Sequence, residues 1–139
     1  IETLGLRMQR HADNAKALAE RQESQQADEC VNYAGLPSNQ YYSLARKYTP
    51  KGAGAVFTFG VKGGYDAGVS LVSNVKLFSH LANIGDTRSL VIHPASTTHS
   101  QLDNEQKTKA GAGPDVVRVS IGIEDKDDLI AALDQALRA

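Results

Sequence analysis

The chain has 139 residues, enough for one domain with one hydrophobic core. Its formal net charge of −1 gives no basic field that would attract nucleic acid or anionic lipid. Its apolar runs are far shorter than the ~20 residues that a membrane-spanning helix needs, and no signal-peptide pattern opens the sequence. The composition, with 41% hydrophobic residues, is typical of a soluble globular protein.

The first 25 residues predict a helix. One face carries residues at the 4/3 spacing of an amphipathic helix, namely Leu4, Met8, His11, Ala15 and Leu18. Ile1 is not an initiator methionine, and no capping residue precedes it. We therefore expect the chain to be a fragment of a longer protein.

The next elements are separated by glycine- and proline-marked turns at residues 35–37, 50–52 and 63–64. Between residues 55 and 61, aromatic and β-branched side chains alternate as in a half-buried strand. The sequence predicts a loop over 23–29, a strand over 30–33, a helix from Ser38 or Asn39 to Tyr48, a strand over 55–61, a helix over 65–74 and an extended piece over 76–78.

The single cysteine, Cys30, has no partner within the chain, which favours a reducing, cytoplasmic setting. It opens an apolar run that is typical of a strand, with no histidine nearby, so we do not expect it to be a nucleophile.

The second half predicts a buried strand over 90–92, a helix opened by an Asp103–Gln106 capping box, a strand over 116–121 and a last helix capped by Glu124 or Asp125. The order is then α-β-α-β-α-β-α-β-α. One layer of sheet covered by helices is an architecture that buries the apolar faces of elements in this order. We expect an α/β (α+β) fold with a four-stranded, largely antiparallel sheet and helices on one face, as a single domain over residues 1–139.

Arg118 is the foremost candidate for a functional residue. Strand alternation places it with Val116 and Ser120 on one face and leaves the other face apolar. Arginine is seldom buried unless its guanidinium is paired. The side chain could therefore lie in water at a sheet edge, form an internal ion pair, or bind a substrate carboxylate through two hydrogen bonds.

The stretch Ser79–Ser100, SHLANIGDTRSLVIHPASTTHS, is rich in histidine and hydroxyl side chains and in bends, which is typical of a segment that lines a site. Asn83 could form a turn or contact a ligand, and Thr98 could be a solvated hydroxyl, a helix cap or a ligand contact. His93 and His99 match no common zinc spacing, so we expect no metal site.

These two regions, SHLANIGDTRSLVIHPASTTHS and VVRVSIGIED, resemble the C-terminal-domain motifs of the pyridoxal-phosphate (PLP) enzymes of cysteine and methionine metabolism. The resemblance covers essentially all 139 residues. It is strongest to the O-acetylhomoserine sulfhydrylase branch, because Asn83 stands where many relatives carry serine. It implies the C-terminal domain of a fold-type I PLP enzyme.

The resemblance also implies roles. Arg118 holds the α-carboxylate of the amino-acid substrate, and Asn83 and Thr98 complete that side of the pocket. His93, Pro94 and His99 support the shape of the loop. PLP, its lysine and its phosphate site are expected in a larger upstream domain, because the family's Ser-x-x-Lys motif has no counterpart here. We therefore expect no catalytic or cofactor-binding residue in this chain, and no activity from it alone.

The complete enzyme is expected to be a cytoplasmic homotetramer. It would expel acetate from O-acetylhomoserine by γ-elimination and add sulfide, giving homocysteine for methionine synthesis. Two alternatives stay open. The parent could be another γ-synthase or γ-lyase of the family, such as a cystathionine γ-synthase or a methionine γ-lyase. The isolated chain could instead serve as a non-catalytic binding or assembly module.

Overall fold

A computed structural model describes residues 1–25 and 28–139. Its elements are α1 (Leu4–Glu23), β1 (Asp28–Asn32), α2 (Tyr42–Tyr48), β2 (Val56–Val61), α3 (Gly64–Asn74), β3 (Leu90–Ile92), a 3₁₀ turn (Pro94–Ser96), α4 (Asn104–Lys109), β4 (Val116–Ser120) and α5 (Lys126–Leu137). The predicted order of helices and strands is confirmed, and the 3₁₀ turn is an addition to it.

The four strands form one sheet in the order β1-β2-β4-β3, and each neighbouring pair is antiparallel. The predicted fold class is therefore confirmed. Because β4 lies between β2 and β3, the strand that carries Arg118 is an interior strand. This rules out the sheet-edge position that the sequence left open for Arg118.

The core lies between the sheet and the three long helices α1, α3 and α5. Sheet residues of one alternation face this core, including Phe57, Phe59, Val117 and Val119, all at most 2% exposed. The alternate residues point to the opposite face, where Arg118 and Thr58 are half-buried. The face that lacks the long helices is thus the one that carries the predicted functional residue.

Several boundaries differ from the predictions, for local reasons. The apolar stripe of α1 is buried only from His11 onward. Its first two members, Leu4 and Met8, are 43% and 37% exposed. Helix α2 begins at Tyr42 without a side-chain cap, since the Asn39 side chain accepts a hydrogen bond from the Tyr41 N–H in a turn. Part of the predicted 23–29 loop, residues 26 and 27, lies outside the described residues.

Both predicted N-terminal caps in the second half have clear outcomes. The capping box of α4 is confirmed, with Asp103 and Gln106 each accepting from the other's backbone N–H. For α5, the cap is Asp125, whose carboxylate accepts from the Asp127 N–H. Over residues 1–25 and 28–139, no helix has the length and apolar character to cross a membrane.

Candidate functional site

A cleft of about 470 Å³ opens on the sheet face opposite the long helices. Its walls come from the loop over residues 80–89 that precedes β3 (the 80s loop), the end of β3 with the turn that follows, and the middle of β4. The lining residues are Ala82, Asn83, Ile84, Ile92, Pro94, Thr98, His99 and Arg118. The three residues predicted from sequence, Asn83, Thr98 and Arg118, therefore line one cleft although 35 positions of sequence separate the first from the last.

Arg118 lies at the base of this cleft. It is opposite Thr58 of β2 and Ile92 of β3, and directly opposed residues in antiparallel strands share a sheet face. Arg118 is half-buried, and its guanidinium makes no hydrogen bond or ion pair with any described residue. A partly desolvated guanidinium with free donors is suited to bind a carboxylate through two parallel hydrogen bonds.

Asn83 is held in one orientation by its own loop. Its side-chain oxygen accepts a hydrogen bond of 2.8 Å from the Ile84 N–H. The amide NH₂ group is left as the free end of the side chain, and it can only donate. The turn-forming role and the ligand-contacting role considered for Asn83 are therefore compatible.

Thr98 is exposed, and its Oγ1 lies 2.8 Å from Nδ1 of His99. It does not cap a helix, because Asp103 caps α4. The His99 main chain is fixed by a 2.9 Å hydrogen bond from its N–H to the Pro94 carbonyl. The hydroxyl and the imidazole thus form a paired unit on one wall of the cleft.

His93 supports this wall from beneath and is only 1% exposed. Its Nε2–H donates to the Pro114 carbonyl over 2.8 Å, and its Nδ1 lies 2.9 Å from the Ser96 hydroxyl. The Tyr65 ring packs against it edge-on at 5.0 Å. With both ring nitrogens engaged, His93 ties the turn after β3 to the segment before β4, as the family resemblance suggested.

A second tie lies at the other end of β3. The Glu124 carboxylate accepts from the Ser89 N–H at 2.6 Å and from the Ser89 hydroxyl at 2.9 Å. The same hydroxyl accepts from the Gly122 N–H at 2.8 Å. This bonding fixes the segments before β3 and after β4, and so holds β3 in register beside Arg118.

The 80s loop is anchored through Ser79. Its N–H donates to the Ser89 carbonyl at 2.9 Å, and its own carbonyl accepts from the Val91 N–H at 3.0 Å. Because these two bonds flank Leu90, the loop leaves and rejoins the sheet at a fixed place. Asn83 is thereby carried to the mouth of the cleft.

The chemistry of the cleft fits an anionic carboxylate flanked by apolar atoms. Arg118 is the only arginine or lysine among the described residues that line it, and Ile84, Ile92 and Pro94 give it an apolar wall. Among the described residues, no lysine that could form an imine with PLP lines it. The residues present therefore suit one side of an amino-acid substrate and do not suit the attachment of PLP.

Residues 1–138 match the Cys/Met metabolism PLP-dependent enzyme family. The chain therefore belongs to this family, and the resemblance seen in its motifs is confirmed.

Similar proteins include the O-acetyl-L-homoserine sulfhydrylase 1 of Thermus thermophilus, which is 51% identical over 99% of this chain and 32% of its own length. The homocysteine synthase of Schizosaccharomyces pombe is 50% identical over the same shares. The chain spans about a third of the length of these curated relatives.

A solved structure from Campylobacter jejuni, described as an O-acetylhomoserine (thiol)-lyase and containing a pyridoxyl-lysine monophosphate, superposes with a TM-score of 0.93. It is 42% identical, and the match covers 99% of this chain and 33% of that one. The similarity in structure therefore extends over the whole fold described above.

Sequence reasoning missed how His99 contributes. The sequence suggests His99 only as a metal ligand or as support for the loop, whereas it lines the cleft and its Nδ1 lies 2.8 Å from Thr98 Oγ1. The adjacency of a threonine and a histidine was a signal, but adjacency alone does not show that two side chains face the same way.

Proposed function

We propose that this chain is the C-terminal, substrate-carboxylate-binding domain of a PLP-dependent sulfhydrylase. The complete enzyme converts O-acetylhomoserine and sulfide to homocysteine and acetate. The observation that carries the proposal is the half-buried Arg118, whose guanidinium is unpaired among the described residues, in a cleft that also holds Asn83 and Thr98. The names of the similar proteins support the choice of substrate.

In this proposal the chain's own residues bind and orient. Arg118 holds the α-carboxylate at two points, the Asn83 NH₂ group donates to it from the loop, and the Thr98 hydroxyl donates from the facing wall. A substrate held at a fixed carboxylate presents its amine and its γ-carbon in one orientation, which lowers the entropic cost of reaction. PLP, when bound by the upstream part of the enzyme, supplies the electron sink for the chemistry.

The overall reaction balances without a redox partner. The bond from the γ-carbon to the acetate oxygen breaks, acetate leaves with that electron pair, and hydrosulfide sulfur forms the new bond to the same carbon. The thiol proton of hydrosulfide stays on the product. The domain described here changes the affinity for the amino acid and leaves bond breaking to the PLP-bearing part.

The proposal is tested by steady-state kinetics on the complete enzyme. Arg118→Ala should raise the KM for O-acetylhomoserine by about 100-fold, because it removes two charge-assisted hydrogen bonds, and the PLP absorbance band should remain. Arg88→Ala is the matched control. Arg88 is an exposed arginine of the neighbouring loop that lies 3.7 Å from Asp86, and its loss should change KM by less than about twofold. An unchanged KM in the Arg118 variant would refute the carboxylate-binding role.

The sulfur donor separates this proposal from a γ-synthase. With O-acetylhomoserine as the first substrate, sulfide should give homocysteine at a much higher rate than cysteine gives cystathionine. A preference for cysteine would assign the chain to a γ-synthase, and release of a keto acid without any sulfur donor would assign it to a γ-lyase.

We also propose that the complete enzyme is a cytoplasmic homotetramer. The one cysteine, Cys30, is a free and exposed thiol, which fits a reducing compartment. Size-exclusion chromatography of the complete enzyme with light-scattering detection measures its oligomeric state. A mass of one or two subunits would contradict the tetramer.

A further inference from the structure

The pair formed by Thr98 and His99 has a consequence for which group can donate to a bound carboxylate. A threonine hydroxyl has one proton and two lone pairs. With Thr98 Oγ1 lying 2.8 Å from His99 Nδ1, that one proton either points to the imidazole or is free for another acceptor. Which of the two holds depends on whether Nδ1 carries a proton.

If Nδ1 is bare, the Thr98 hydroxyl donates to it, and the oxygen presents only lone pairs toward the cleft. These lone pairs would repel a carboxylate held by Arg118. If Nδ1 carries its proton, His99 donates to Thr98 Oγ1, and the hydroxyl proton is free to point at the carboxylate. The proton on His99 therefore decides whether Thr98 attracts or repels the ligand.

Asn83 shows the same arrangement on the facing wall. Its oxygen accepts from the Ile84 N–H, which leaves its NH₂ group as the free donor. Each of these two polar side chains thus has a neighbour in the next sequence position that can occupy its acceptor. With Arg118 as a pure donor, the cleft can then present donors alone to an anion.

We propose that His99 is a positioning residue for the substrate carboxylate, acting through Thr98 in the form that carries a proton on Nδ1. This inference rests on the function proposed above, and it adds to that function a residue that makes no contact with the carboxylate itself. The hydrogen bond from the His99 N–H to the Pro94 carbonyl fixes the His99 backbone, and from this backbone Nδ1 lies 2.8 Å from Thr98 Oγ1.

Two substitutions of His99 whose side chains have nearly the same shape as each other test the direction of the hydrogen bond between Thr98 and position 99 in the complete enzyme. Asparagine at position 99 can place an N–H donor near the site of Nδ1, whereas aspartate can place only an acceptor there. His99→Asn should keep the KM for O-acetylhomoserine within about threefold of the wild type. His99→Asp should raise it about tenfold or more, with a much smaller change in kcat, because a charge-assisted donor is lost at the carboxylate.

Aspartate also adds a negative charge, so a second background isolates the contribution of Thr98. The ratio of KM between His99→Asp and His99→Asn should fall at least threefold when both are made in Thr98→Val, which has no hydroxyl to orient. His80→Asp adds the same charge at an exposed position of the 80s loop and should raise KM by less than about twofold.

Two results overturn the inference: equal KM values for His99→Asn and His99→Asp, or a ratio between them that Thr98→Val leaves unchanged. Failure of the inference is separable from failure of the proposed function. If Arg118→Ala raises KM while the His99 pair shows no difference, only the role of His99 is lost. If Arg118→Ala has no effect, carboxylate binding by this cleft is refuted as well. Thermal unfolding of each variant checks that it is folded.

Discussion

Arg118 lies directly opposite Ile92 in the antiparallel pair of β4 and β3. This pairing places the two side chains next to each other on the same face of the sheet. Both residues line the cleft, and the Arg118 guanidinium makes no hydrogen bond or ion pair with any described residue. The register between β3 and β4 therefore determines which wall the guanidinium faces, and the ties at the two ends of β3 determine that register.

The tie formed by Glu124 is expected to contribute measurably to stability. Glu124→Ala removes both acceptors of Ser89 and leaves a buried N–H without a partner, which should lower the free energy of unfolding by about 1–3 kcal/mol. Denaturant titration of the chain measures it. Glu105→Ala is the control, because its 2.6 Å ion pair to Lys109 is 77% and 75% exposed and should cost less than about 0.5 kcal/mol. Equal costs for the two variants would contradict the assigned role of Glu124.

A methyl group added at Gly68 should displace His93. The new Cβ would lie 2.6 Å from His93 Cδ2, closer than any unstrained contact, so Gly68→Ala should destabilise the fold by about 1–3 kcal/mol. Gly5→Ala in α1 meets nothing within 4 Å and should be neutral or stabilising by up to about 1 kcal/mol. Thermal unfolding of both variants measures the contrast, and a Gly68 variant as stable as the Gly5 variant would mean that His93 does not need this space.

The raised pKa of Tyr33 predicts that the folded protein loses stability at high pH. Burial, followed by the negative charges of Asp13 and Glu20, raises the pKa of the Tyr33 phenol to about 12. Because the folded pKa lies above the ordinary value of 10, the folded state holds this proton more tightly than the unfolded chain. The contribution is fully present below pH 10 and is lost as the pH rises toward 12.

The measurement compares the wild type with Tyr33→Phe across that range. The variant also loses the 2.9 Å hydrogen bond from the phenol to the Gly54 carbonyl, so it should be less stable at pH 9 by about 1 kcal/mol. Above pH 10 the wild type should lose stability faster than the variant, and the gap should close. Two curves that stay parallel to pH 12 would show that Tyr33 titrates as in the unfolded chain.

Much of the fold followed from periodicity. The alternation over residues 55–61 predicted a strand with one buried face, and the alternation of Val117 and Val119 with Arg118 predicted the apolar face of β4; the structure confirms both. Capping residues in the sequence predicted the start of a helix correctly where the capping side chain has no competing partner nearby, as at Asp103. They failed at α2, because Asn39 bonds the backbone two residues on and forms a turn there.

The candidate site was predicted less completely. Arg118, Asn83 and Thr98 were found from strand alternation and from motifs, and the cleft brings them together. The bonds that hold the cleft could not be read from sequence, because they join distant segments. Ser89 and Glu124 are 35 positions apart, and His93 reaches Pro114 over 21. Such pairs depend on strand register, which local patterns do not specify.

The central claim is that Arg118 binds the α-carboxylate, and a change in the substrate tests it most directly. The quantity to measure is kcat/KM of the complete enzyme for O-acetylhomoserine divided by that for its α-carboxamide, in the wild type and in Arg118→Ala. We predict a ratio of about 100 or more for the wild type, falling to within about tenfold of unity in the variant, because only a charged carboxylate gains fully from the guanidinium. A ratio that Arg118→Ala leaves unchanged would contradict the account.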